Sequence, residues 1–129
     1  MEMKKLLESF NHAINGIIDA VRTKRNMKIH IVEAIGVLIA CFFFEISKAE
    51  FLSLAITITM VISAELVNTA VEAAVDLNTN YYHPLAKVAK NTAAGAVLVT
   101  AVNALLVGYI VFWDKLSNFS YEVIYKIKH

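Results

Sequence analysis

Proline occurs once in this chain of 129 residues, glycine four times and cysteine once. With so few chain-breaking residues there is no Pro/Gly-rich linker, no repeat and no low-complexity tract, and the length allows one domain. Four scattered glycines build neither a GxGxxG turn nor a GxxxxGKS/T phosphate loop, so no soluble nucleotide-binding motif is present. A lone Cys41 excludes an internal disulfide, a CxxC pair and a zinc-type cysteine spacing. Charged residues make up only 18% of the chain and the net charge is +1. No basic run is dense enough to neutralise many phosphates, which argues against nucleic acid as a partner. The N-terminus is polar and charged, so no cleavable signal peptide is expected.

Apolar residues are what the chain has in excess. They account for 58% of it, and the mean hydropathy is +0.59. They are gathered into three runs. Residues 29–47 begin with His30 and Glu33 and are otherwise almost wholly apolar as far as Phe44. Residues 51–75 form a second run and residues 91–113 a third. Each is long enough to cross the hydrocarbon of a bilayer, the first with help from its flanks. Residues 3–25 read differently. Met3, Leu6, Leu7, Phe10, Ile14, Ile17, Ile18 and Val21 recur at helical spacing, with charged and amide side chains on the other faces. Such a helix suits a membrane surface. Residues 114–129 alternate aromatic and charged residues and read as an interfacial tail. The fold class expected is all-α and integral to a membrane: three transmembrane helices and an N-terminal amphipathic surface helix.

Lysine and arginine set the orientation. Lys4, Lys5, Arg22, Lys24, Arg25 and Lys28 precede the first run, and Lys87 and Lys90 lie between the second and third. Lys48 and three tail lysines lie on the other side. Eight against four places the N-terminus and the second loop in the cytoplasm.

The second run contains an energetic anomaly. Glu65, Asn68, Thr69, Glu72 and Asp76 share one helical face, opposite Leu66, Val67, Ala70, Ala73 and Ala74. A carboxylate within hydrocarbon is costly unless paired, protonated or hydrated, so such a row marks function. Lys90, Lys87 and His83 are close to its cytoplasmic end in depth. Carboxylates beside lysine and histidine at that boundary suit a phosphorylated ligand with Mg²⁺, which favours one or two carboxylates plus phosphate oxygens. The deeper Glu65 can take a proton from a hydroxyl. Ala93, Ala94, Gly95 and Ala96 permit close helix approach. Three spans enclose a polar cavity poorly, so oligomerisation is expected, with sites shared between subunits.

These residues carry a resemblance. AELVNTAVEAAVD (Ala64 to Asp76), HPLAKVAKNTAAGAVLVTA (His83 to Ala101), SFNHAINGI and RNMKIH (Arg25 to His30) closely resemble the prokaryotic diacylglycerol kinase family, which includes undecaprenol kinases of Gram-positive bacteria. The likeness runs over about residues 5–112, and RNMKIH and HPLAK are closer to the undecaprenol branch. The resemblance implies a homotrimer in the bacterial cytoplasmic membrane that transfers the γ-phosphate of MgATP to a membrane lipid alcohol, undecaprenol before diacylglycerol. It implies Glu65 as general base, Asn68 as the residue holding that base or the substrate, Glu72 as a metal ligand and Asp76 as the acidic end of the motif. It implies Lys90, with Asn91 beside it, at the phosphates, Tyr82 and His83 in the nucleotide loop, and His12 on the surface helix facing the nucleotide. Two positions depart from the family. Lys24 stands where an acid usually precedes the RN pair, and Asn91 where Asp usually follows the phosphate lysine. Three outcomes are open: Lys24 contacts phosphate directly, another acid supplies the ligand, or activity is low. A proton-coupled transporter subunit is the competing reading, since intramembrane Glu and Asn also mark ion relays.

Overall fold

The computed structural model describes all 129 residues and is entirely helical. Four helices follow one another: α1 (Glu2–Thr23), α2 (Arg25–Phe43), α3 (Lys48–Asn78) and α4 (Pro84–Lys128). The last three are long and apolar enough to cross a membrane.

The helix ends have local causes. Lys24 alone separates α1 from α2, with extended backbone at φ −103° and ψ 119°. Its N–H still closes α1 on the Ala20 carbonyl at 2.9 Å. The surface helix expected over 3–25 therefore stops at Thr23, and Arg25 already opens the next helix. The first run, expected over 29–47, loses its end to a turn, because α2 stops at Phe43. Ser47 is not the end of that helix but the cap of the next one. Its Oγ accepts from the Glu50 N–H at 3.1 Å, and the Glu50 carboxylate accepts from the Ser47 N–H at 2.8 Å. This reciprocal pair satisfies two backbone donors that a helix start leaves open. At α4, His83 Nδ1 accepts from the Leu85 N–H at 3.1 Å and Pro84 occupies the first turn, where its missing N–H costs nothing.

The third run, 91–113, lies within a helix of 45 residues. At 1.5 Å per residue α4 is about 68 Å long, roughly twice the hydrocarbon thickness of a bilayer. Residues 114–128 continue it without a break. Two contacts tie this extension to the bundle. Lys115 Nζ lies 3.1 Å from Glu50 Oε1, and the Phe44 ring meets Phe112 and Phe119 edge-on at centroid distances of 6.1 and 6.3 Å.

Helix α3 packs chiefly on α4 and also on α2, while α1 touches α2 and α3. Only eight residues are buried, five of them on α3: Leu54, Thr57, Val61, Glu65 and Asn68. Their spacing of three and four makes a single inward stripe. Its first half is mostly apolar and its second half is a carboxylate and an amide. Long apolar side chains such as Ile35, Leu98, Leu105 and Ile110 face outward, which suits lipid or another subunit rather than water.

Candidate functional site

The inward stripe of α3 carries the candidate residues. Glu65 is 2% exposed and Asn68 5%. Glu72 and Asp76 continue the same face toward the α3–α4 loop, as the spacing predicts. Along the axis Glu72 stands about 10 Å from Glu65, and Asp76 about 6 Å beyond it.

The two ends of the row have different surroundings. Glu72 is partnered on both oxygens. Lys24 Nζ lies 2.5 Å from Oε2, and Asn68 Nδ2 donates to Oε1 at 3.4 Å. Asp76 Oδ1 accepts from Lys90 Nζ at 2.5 Å. Both ion pairs are partly open, with side chains about one-third exposed or more. Deeper in, Glu65 Oε2, Asn68 Oδ1 and Thr69 Oγ1 are buried with no hydrogen-bond partner in the chain. Leaving such atoms unpaired costs about 1–3 kcal/mol each, more for a charged group. Two of the three are pure acceptors, so the group that satisfies them must donate, as a hydroxyl does.

Two cavities flank the row. One, between α2, α3 and α4, brings Glu65 and Asn68 together with Asn26 and His30 and is also lined by Ala94 and Ala101. The other is an open groove at the α3–α4 loop that gathers Asp76, Tyr82, His83, Lys87, Lys90 and Asn91. The structure thus brings together five of the residues expected at the nucleotide and phosphates or at the end of the acidic motif. It does not bring His12 to them. His12 is exposed on α1 and forms no hydrogen bond or ion pair with another side chain.

Three residues with a place in this geometry carried no assigned role in the sequence. Lys24 was a departure from a pattern, and in the structure it is the ion-pair partner of Glu72. His30 is largely buried, and its Nδ1 lies 3.1 Å from Glu33 Oε2. It lines the Glu65 cavity and also an apolar slot between Ala34, Leu54, Val61 and Ala104. Asn26 shares the Glu65 cavity. Asn26 and His30 are four apart on α2, the same kind of one-face polar pairing that exposed the row in α3.

The donor set can be tested against a resident divalent ion. No three His, Cys, Asp or Glu side chains come together in this chain. An ammonium already neutralises Glu72. These residues do not fit a divalent ion held by the protein alone.

The surroundings of this row match known proteins. The sequence profile described as prokaryotic diacylglycerol kinase matches residues 11–112. The undecaprenol kinase of Bacillus subtilis (strain 168) is 44% identical over 115 residues, covering 89% of this chain and 94% of that protein. The diacylglycerol kinase of Synechocystis sp. is 42% identical over 104 residues, covering 80% of this chain and 59% of that protein. A carboxylate–amide row in a membrane helix, with lysines at its open end, and matches of this extent lead to one conclusion: the chain belongs to the prokaryotic diacylglycerol kinase family.

Proposed function

We propose that this lipid kinase transfers the γ-phosphate of ATP to the hydroxyl of undecaprenol, with diacylglycerol the second choice of acceptor. The observation that carries the reading is the buried pair of unpartnered acceptors, Glu65 Oε2 and Asn68 Oδ1, on a cavity beside an apolar slot. A lipid alcohol offers what this place needs: a donor hydroxyl on an apolar chain.

In this mechanism the hydroxyl rests between Asn68 and Glu65. Glu65 takes its proton as the oxygen attacks the γ-phosphorus, and the bond from that phosphorus to the β–γ bridging oxygen breaks to release ADP. Lys90 offsets the charge that develops on the phosphate oxygens. Tyr82, His83 and Asn91 line the groove for the nucleotide, with His12 reaching it from the surface helix of the assembled protein. Asp76 holds Lys90 in the absence of phosphate. The Mg²⁺ that accompanies ATP supplies further charge neutralisation on the phosphates. The working form is a homotrimer in the bacterial cytoplasmic membrane. The N-terminus and the α3–α4 loop face the cytoplasm, and α1 lies on the membrane surface.

The transporter reading is weaker because the polar row does not continue across α3. Beyond Glu65 the inward stripe is Val61, Thr57 and Leu54, which offers no relay to the far side. The deciding experiment offers radiolabelled ATP and a panel of undecaprenol, diacylglycerol and ceramide to the purified protein. Labelled undecaprenyl phosphate is the expected product. No transfer to any lipid alcohol would overturn the proposal.

A further inference from the structure

The geometry points to Lys24 as the resident cation of Glu72: its ammonium takes the place of a protein-held divalent ion and becomes a phosphate contact when nucleotide binds. The nucleotide half of this inference rests on the kinase reading, and the metal half does not.

Lys24 is held in place by the backbone. It is the one residue between two helices, its N–H is bonded to Ala20 and its carbonyl accepts from the Lys28 N–H at 3.3 Å. From that fixed point its side chain reaches Glu72, 48 positions along the chain, at 2.5 Å. The other oxygen of Glu72 is engaged by Asn68. A divalent ion approaching this carboxylate would have to displace a tethered ammonium, and would do so beside Arg25 and Lys28, with no acid in the first turn of α2. Like charges repel it, and no cluster of three carboxylate, imidazole or thiol side chains is there to compensate. A polyphosphate meets the opposite situation. Its oxygens can accept from the Lys24 ammonium, which is about one-third exposed and keeps donors free beyond Glu72. The charge that another arrangement would obtain from a bound ion is therefore built into the chain, and the metal travels with the nucleotide.

The test uses the full chain in lipid nanodiscs. Without nucleotide, Mn²⁺ binding is followed by electron paramagnetic resonance in wild type, Lys24→Glu and Lys24→Glu with Glu72→Gln. Lys24→Glu is expected to bind Mn²⁺ at least about tenfold more tightly than wild type, and the double variant to lose the gain. Wild type binding Mn²⁺ as tightly as Lys24→Glu would overturn the inference. In the second arm a non-hydrolysable ATP analogue is titrated with Mg²⁺ and with EDTA. Wild type and Lys24→Arg are expected to lose about threefold or less in EDTA, and Lys24→Gln about tenfold or more. Equal losses in wild type and Lys24→Gln would overturn it as well. If no variant binds the analogue even with Mg²⁺, while Lys24→Glu gains its Mn²⁺ site, the kinase reading fails and the metal assignment stands. Circular dichroism and gel filtration check that each variant keeps its helices and size.

Discussion

Glu65 and Glu72 lie two turns apart on the same face of α3, yet only Glu72 is ion-paired. The same residue type therefore meets two environments within one helix. Glu72 is fixed by an ammonium and an amide at the open end, whereas Glu65 is buried with one oxygen unpartnered. That asymmetry supports the proposed division of work, in which Glu72 handles charge at the open end and Glu65 a proton inside.

Glu65→Gln keeps the size and shape of the side chain and removes the base. Lipid phosphorylation should fall by about 10²–10⁴-fold, the range general-base catalysis contributes. Helicity and the elution position in gel filtration should not change. Turnover near the wild-type rate would remove Glu65 from the role of base.

Asn68→Leu fills a similar volume but removes both the free acceptor and the donor to Glu72. The expected outcome is a KM for the lipid alcohol raised about tenfold, the size of one lost hydrogen bond to a buried group, with KM for ATP changed less. Steady-state kinetics with each substrate varied in turn separates the two.

Lys90→Met breaks the pair with Asp76, which is exposed enough to contribute at most about 1 kcal/mol to stability. The melting temperature in detergent should therefore barely move. Activity should drop by about tenfold or more, because the charge at the phosphates is lost. A large fall in melting temperature with activity preserved would assign the pair to structure instead.

Ser47→Ala removes the cap of α3 at the end far from Glu72. Losing such a cap costs about 1 kcal/mol, so the protein should melt a few degrees lower. Specific activity at low temperature should stay at the wild-type level, since Ser47 touches nothing in either cavity.

Phe119→Ala tests the long α4. Phe119 meets Phe44 edge-on, a contact whose loss takes about 0.5–1.5 kcal/mol beyond the area exposed. Limited proteolysis should then cut within 114–128 faster than in wild type, with the lipid kinase reaction unaffected.

Much of this protein can be read from local pattern. Apolar runs longer than any soluble element predict three membrane helices, because a spanning segment must bury its own backbone and present apolar side chains throughout. The 3.6-residue period puts Glu65, Asn68, Glu72 and Asp76 on one face in any helix, so the row was visible before any fold was known. Helix ends were less legible. The polar first turns of α2 and α4 are helical although hydropathy excludes them: the His83 side chain caps α4, and α2 begins directly after the extended Lys24 with no side-chain cap. What tertiary structure alone decided is which partners the row acquires. That Lys24 reaches Glu72, that Lys90 reaches Asp76 and that His30 shares a cavity with Glu65 depend on how α1, α2 and α4 are set against α3. Period and hydropathy act along one helix, whereas an ion pair between residues 48 positions apart is made by packing. Sequence alone established that the second helix carries a costly polar row, and the fold determined which of its carboxylates is neutralised and which is left unpartnered.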